Sequence, residues 1–218
     1  MDSVVVARTH GRTPQQNRSR ATLTRIVEAA ETLFAERGYD GTTVQDITVK
    51  ARCSVGAFYA RFKDKESLFL HIHDQHCAAL LQRMTFLCEL FEAENAKLEA
   101  IVNQIVRALF VFVGRRRSLT RVFMQRSAHD PIFQARYARV WKQVLGLLEP
   151  ALLRRRNEIT HPDPERAVAF ALQALHGLWA IDVLHHRVRD ITGQIGGEQL
   201  AAEATAAFMA WLGVTGKK

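Results

Sequence analysis

The sequence predicts an all-α chain in which a small N-terminal three-helix domain, built round a helix-turn-helix, precedes a larger C-terminal helical domain. Three observations carry that expectation. Apolar residues recur at helical spacing through most of the 218 residues, and nowhere do they alternate as a strand requires. Helix-opening residues punctuate the chain: Thr43, Ser54 and Asp64 early, Asp130-Pro131 and Asp163-Pro164 late. With 48% hydrophobic residues there is ample material for a core, and the length suits two domains or one helical body. There are no internal repeats and no low-complexity tracts.

Residues 1–17 lack periodicity and carry Arg8, His10, Arg12 and Pro14. They read either as a disordered tail or as a flexible basic arm that follows a phosphate backbone or enters a minor groove. A first helix is expected from Arg18 to Arg37, where Leu23, Ile26, Val27, Ala30, Leu33 and Phe34 make one apolar stripe. Gly38 stops it, and Tyr39 can fold back on its last turn. Thr43 and Asp46 have capping-box spacing at the head of the next helix, in which Val44, Ile47 and Ala51 share a face. That run breaks at Arg52-Cys53. Ser54 then caps a helix through Phe58 to Arg61, and Asp64 with Glu66 opens another through Leu68 and Phe69. Two short helices about a turn of three or four residues form a helix-turn-helix, whose second helix enters a major groove.

Thr43-Val44-x-Asp46-Ile47, then Ala51-x-x-Ser54-x-Gly56-x-Phe58-Tyr59-x-x-Phe62-x-x-Lys65-Glu66-x-Leu68, resembles the DNA-binding signature of the TetR (tetracycline-repressor) family. The likeness extends back, in one register, through Ile26-x-x-Ala29-Ala30-x-x-Leu33-Phe34-x-x-x-Gly38-Tyr39-x-x-Thr42-Thr43. The family usually has Gly where Arg52 stands and Val or Ile where Cys53 stands. A left-handed Arg in that turn costs about 1 kcal/mol, and the turn is expected to hold, slightly strained or adjusted. The resemblance implies a DNA-binding domain at 18–66, a ligand-binding and dimerisation domain at 67–213, and a tail at 214–218.

Beyond the motif, a helix is expected from Lys65 to about Phe91, with His71, His73, His76, Cys77 and Cys88 along it. His73 and Cys77, at i and i+4, have metal-ligand spacing, but the tight cluster of a zinc site is missing, so no metal and no cofactor is expected. Lys97 to Gly114 reads as an amphipathic helix closing in Arg115-Arg116-Arg117, a solvated cationic end. Ser118 is expected to cap a short helix through Ala128. Asp130-Pro131 opens a helix past Trp141, Leu145 and Leu148, kinked near Pro150, after which Arg154-Arg155-Arg156 reads as a second solvated end. Ala167 to Leu184 is apolar nearly all round, and the last helix runs from Glu198 to Leu212. Two such helices fit an intrachain core or an intersubunit four-helix bundle; the resemblance implies the homodimer.

A groove-reading helix needs small residues at close approach and donors at phosphates. Ser54, Val55, Gly56 and Ala57 form a small leading edge, with Val55 and Ala57 able to meet thymine methyls; Gly56 serves equally well for tight helix packing. By resemblance Phe58 and Phe62 pack inward, Tyr59 offers its hydroxyl to a phosphate, and Thr43 and Lys65 clamp the backbone on either side. Lys50, Arg52, Arg61 and Lys63 lie near enough to add phosphate contacts or, for Arg52, a base contact. The resemblance further implies a ligand-released dimeric repressor on a near-palindromic operator. Its effector pocket would lie between helices, lined from among Phe86, Phe110, Phe123, Met124, Tyr137, Trp141, His176 and Trp179, with Arg126 and Gln173 as polar anchors. Each of these residues, taken singly, reads more readily as plain core than as a ligand contact.

A formal charge of +8 favours a polyanionic partner. The excess is shared: residues 1–65 hold 11 Lys/Arg against 7 Asp/Glu, and the remainder 19 against 15. Three cysteines without paired spacing read as reduced thiols in a cytoplasmic protein. Val4 to Ala7 is too short for a signal-peptide core, and no segment approaches the roughly 20 unbroken apolar residues of a membrane span. No Gly-x-Ser-x-Gly, phosphate loop or paired metal motif supports an enzyme. The stronger rival is a helical small-molecule- or partner-binding protein of the same fold that has lost DNA recognition.

Overall fold

The computed structural model describes residues 14–112, 116–192 and 195–214, with backbone alone at 14–16, 111–112 and 186–192. Residues 1–13, 113–115, 193–194 and 215–218 lie outside the described set, and with them the expectations for Arg8, His10 and Arg12. Every regular element among the described residues is helical. The chain divides into two compact units, one ending at Ile72 and the other beginning at His73.

The first unit holds α1 (Pro14–Arg37), α2 (Val44–Lys50), α3 (Val55–Tyr59) and the start of α4 (Lys65–Ala93). α1 begins at Pro14, so residues 14–17, expected in the arm, are helical. Its buried face is Ile26, Ala29, Ala30, Leu33 and Phe34, with Leu23 and Val27 only half-buried at the margin. Gly38, at φ +76, ends α1 by donating its N–H to Phe34 O at 2.9 Å. Tyr39 folds back as expected: Phe34, Tyr39 and Phe69 make a triangle of rings with centroids 4.8–5.8 Å apart. Ile47, Phe58, Phe62 and Leu68 complete this core. α4 opens on a reciprocal cap, Ser67 N donating to Asp64 Oδ1 (2.7 Å) and Asp64 N to Ser67 Oγ (3.1 Å).

The second unit takes the rest of α4 with α5 (Leu98–Arg107), α6 (Arg117–Ser127), α7 (Pro131–Leu153), α8 (Pro164–Thr192) and α9 (Gly197–Trp211). Leu98, Ile101, Val102, Ile105 and Val106 form one buried face of α5. α5 does not run on as α-helix toward Gly114; it passes at Ala108 into a π turn, Ala108–Phe112. The residue before α6 is Arg116, so Ser118 lies inside the first turn and caps nothing. Asp130 does cap α7, accepting from the N–H groups of Ile132 (3.0 Å) and Phe133 (3.2 Å), with Pro131 in the first turn. α7 then runs through Pro150 to Leu153, because so near the helix end the missing N–H removes only one bond.

The Arg154-Arg155-Arg156 run is solvent-exposed at Arg154 and Arg156, as expected, and it also carries partners. Arg154 pairs with Glu92, Arg155 donates to Ala96 O (2.7 Å) and Asn95 Oδ1 (2.9 Å), and Arg156 pairs with Glu165. Together they fasten the end of α7 to the neighbouring loops and helices. α9 closes in a Schellman motif about Gly213 at φ +78, where a Cβ would meet Thr160 Oγ1 at 2.2 Å; only glycine fits. By length and composition Pro164–His185 is long and apolar enough to cross a membrane, although Glu165, Arg166 and Asp182 keep it from being an unbroken apolar run. In the fold it is a core helix, burying Ala167, Val168, Ala171, Leu172, Leu175, Trp179 and Val183.

Candidate nucleic-acid interface

The reading head is positioned by short-range bonds. Thr43 caps α2 with a full capping box: Asp46 N donates to Thr43 Oγ1 (3.1 Å) and Thr43 N donates to Asp46 Oδ2 (2.9 Å). The Thr43 hydroxyl donates to the same carboxylate at 2.6 Å, and these bonds hold the Asp46 carboxyl below its ordinary range. Ser54 caps α3 by accepting from Ala57 N at 3.2 Å. Between the helices Cys53 N donates to Thr48 O and Arg52 N to Val49 O, both at 3.1 Å, which is the Schellman pattern. Its left-handed residue is Arg52, at φ +51. The turn therefore takes the geometry expected of a glycine, with a charged side chain exposed at its tip.

Phe58 and Phe62 are buried beneath α3, and the opposite face is left to solvent: Ser54, Val55, Gly56 and Tyr59 are exposed, Tyr59 by 55%, and Ala57 is half-buried. Lys63 and Arg52 are exposed beside them. Lys50 faces Glu36 at 4.0 Å, a loose surface pair that a phosphate can replace.

Two expected cations are differently employed. Lys65 Nζ donates to Tyr39 O and Thr42 O, each at 2.8 Å, and lies 4.1 Å from the centre of the Tyr39 ring. Two of its three protons are thereby engaged in tying the head of α4 to the turn before α2. Arg61 donates to Ala57 O (2.7 Å), Ser19 O (3.2 Å) and Ser19 Oγ (3.0 Å), bracing α3 against α1 instead of facing outward. Sequence reasoning missed Val49, 72% exposed on α2. The signal was available, since Val49 falls off the face shared by Val44, Ile47 and Ala51.

In the second unit the expected pocket residues part company. Tyr137, Trp141, His176 and Trp179 come together: Tyr137 Oη lies 2.8 Å from His176 Nε2, and the Trp141 ring centre lies 3.9 Å from His176 and 5.3 Å from Trp179. Phe110, Phe123 and Met124 are buried, Phe123 against His73, His76 and Phe133. Phe86 is 54% exposed and Gln173 is exposed, so neither lines the interior; both lie on outward faces of α4 and α8. Arg126 is joined to Asp130 at 3.0 Å on its own surface.

What the sequence did not show is how much polar chemistry lies inside this unit. Arg117 Nη2 donates to Asp182 at 2.7 Å, joining α6 to α8, and the Asp182 side chain is only 3% exposed. Thr120 Oγ1 is 3.3 Å from His76 Nε2. Burial, with Arg116 and His73 nearby, pulls His76 down to about 4. Burial likewise lowers His73 and His176, and pushes Tyr137 up to about 12. At neutral pH the imidazoles and the phenol are therefore uncharged, and Arg117–Asp182 is the ionic element among them.

The sequence profile of the family described as bacterial regulatory proteins, tetR family, matches residues 26–72, the span of the reading head. The HTH-type transcriptional repressor AcnR of Corynebacterium diphtheriae is 28% identical over 137 residues, 62% of this chain and 64% of AcnR. The HTH-type regulator YuxN of Bacillus subtilis is 49% identical over 45 residues, 21% of this chain and 16% of YuxN. The chain thus spans less than two thirds of these curated relatives. Among solved structures, FadR of Bacillus subtilis in complex with stearoyl-CoA superposes with a TM-score of 0.65 at 19% identity, covering 89% of this chain and 100% of FadR. That likeness establishes the fold. With the profile falling on α1 to α4, and the caps, inward phenylalanines and exposed α3 face all in place, residues 26–72 carry the N-terminal domain of the tetR family of bacterial regulatory proteins.

Proposed function

We propose that the protein is a dimeric transcriptional repressor that binds a near-palindromic operator and is released by a small-molecule effector. The observation that carries this reading is the family match over residues 26–72 together with an α3 whose small outer face is free to approach base edges. Ser54, Val55, Gly56 and Ala57 supply the close approach. Tyr59, Lys63, Arg52 and Lys50 supply phosphate contacts, with Thr43 at the N-terminus of α2. Lys65 acts chiefly by holding α4 to the turn before α2, with one proton left for a phosphate. The leading edge carries few strong donors, so apolar contacts and DNA deformability carry much of the specificity.

α8 and α9 form the dimer interface in this reading. Its support is an apolar groove lined by Phe170, Ala174, Leu178, Ala207, Phe208 and Trp211, in which Phe170 and Trp211 are about half exposed with ring centres 4.5 Å apart. The effector is placed among Tyr137, Trp141, His176 and Trp179, where a ligand that fits one arrangement better than another gains its leverage. The protein works in the cytoplasm, without a cofactor and without catalysis.

The rival reading, a small-molecule or partner binder with weak DNA recognition, draws on the donor-poor α3 and the internally engaged Arg61 and Lys65. Selection of random duplexes, followed by anisotropy on the winner at two salt concentrations, separates the two. The repressor reading expects a near-palindrome with half-sites about one helical turn apart, and Tyr59→Phe with Lys63→Ala making the salt slope shallower by about one. No enriched site, or a slope unchanged in the variant, overturns it.

A further inference from the structure

Three side chains of α4 and one of α7 form an unbroken relay. Arg136 Nη1 donates to Asp74 Oδ1 at 3.1 Å, and the same oxygen lies 3.3 Å from His73 Nδ1. His73 Nε2 in turn lies 3.4 Å from Cys77 Sγ, with Nδ1 farther off at 3.9 Å. Phe123 and Phe133 stand edge-on to the imidazole, with centroids 5.1 and 4.6 Å away, and fix its plane. A carboxylate on Nδ1 keeps the proton there and turns the Nε2 lone pair toward the thiol. This is the order acid, imidazole, nucleophile that general-base activation of a thiol requires. Cys77 is half-buried; Cys53, in the turn before α3, is also half-buried, and Cys88 is buried with its thiol on Leu147 O.

The geometry points to Cys77 as a modification site for small α,β-unsaturated carbonyl compounds, with His73 as its general base and Asp74 as the positioning carboxylate. In the addition, Sγ bonds the β-carbon as the carbon–carbon π bond breaks. The thiol proton passes to His73 Nε2 and then to the α-carbon, so the reaction is a net addition without oxidant or reductant. The transient imidazolium is balanced by Asp74. Burial and Asp74 push the resting thiol up to about 12, and burial keeps His73 neutral, so the ground state is a thiol hydrogen-bonded to an imidazole and not a preformed ion pair. The charged and titratable groups around it are Asp74 and His76 on α4, Arg116 just before α6 and beside His76, Arg136 and Tyr137 on α7, and His176 on α8 behind Tyr137.

The test treats the full chain with methyl vinyl ketone and follows each cysteine by peptide mass spectrometry across about pH 6.5 to 9. A neutral thiol–imidazole pair reacts at a level rate through that window, whereas a thiol that reacts only through its own thiolate gains about tenfold per pH unit until the thiolate forms. His73→Gln lowers the Cys77 rate at neutral pH on the order of tenfold to hundredfold and restores the climb with pH. Asp74→Asn, at a largely exposed carboxylate, lowers the plateau and carries the test if His73→Gln does not fold. A Cys77 rate that climbs about tenfold per pH unit across the window, equal rates in wild type and variants, or no Cys77 adduct overturns the assignment. The readout is the adduct alone, so its outcome is independent of operator binding.

Discussion

In the first unit the polar side chains that set the reading head are mostly satisfied within one turn of themselves, as in Thr43 with Asp46, Ser54 with Ala57 and Asp64 with Ser67. In the second, polar groups meet across long stretches of chain: Arg117 reaches Asp182 65 residues on, Thr120 reaches His76 44 residues back, and Tyr137 reaches His176 39 residues on. The first arrangement leaves a surface for a polyanion and buries hydrocarbon beneath it. The second buries the polar groups themselves, where each depends on a partner and solvent cannot substitute. Local bonds set a shape cheaply; interior bonds make the arrangement of several helices conditional on one another.

The sharpest break of this comparison is Asp182→Ala. It strands the Arg117 guanidinium in a largely dry setting and should cost about 3–5 kcal/mol, against a near-neutral effect for Arg117→Met combined with Asp182→Leu. All three tryptophans, Trp141, Trp179 and Trp211, lie in the second unit, so their fluorescence in urea reads its unfolding directly. A loss below 1 kcal/mol in the single variant would mean water reaches the pair.

The second test uses pH. His76 is held near 4 in the fold against 6.5 in the open chain, so between those values the unfolded chain binds the extra proton. Its contribution is fully present above about pH 6.5 and is lost as pH falls toward 4, on the order of 3 kcal/mol, with His73 and His176 acting in the same direction. The tryptophan-detected midpoint in urea should drop steeply over that window, and His76→Gln should flatten the drop. The same slope in His76→Gln would assign the loss elsewhere.

The smallest effect belongs to the first unit. Arg52→Gly should raise stability by about 1 kcal/mol, relieving a left-handed arginine, while weakening DNA binding through one lost cation. Stability unchanged within a few tenths would show that the Schellman turn holds Arg52 without strain.

The same contrast explains what could be read in advance. The caps at Thr43, Ser54 and Asp64 were legible because each is written in residues two or three apart, whereas the left-handed Arg52 and the inward Phe58 were expected from the family resemblance. The employment of Arg61 on Ser19 and of Arg154 to Arg156 on Glu92, Asn95, Ala96 and Glu165 was not legible, because an arginine's reach carries no sequence period. Ser118 looked like a cap because it precedes an apolar run, yet the helix starts one residue earlier at Arg117, whose side chain is fixed from α8. Phe86 and Gln173 were misassigned for a related reason. α4 and α8 have apolar residues on so many sides that periodicity does not say which face turns in.

One consequence of Asp182 concerns the newly made chain. Pro164–His185 is long and apolar enough to cross a membrane by length and composition alone, as core helices of soluble proteins can be. An aspartate at the centre of such a segment disfavours insertion by about 3 kcal/mol, and by less toward its end, where Asp182 stands. The carboxylate that the finished fold neutralises with Arg117 thus also marks the segment, while it is still exposed, as a poor tenant for a bilayer. Arg117 precedes it in the chain and is already synthesised when Asp182 appears.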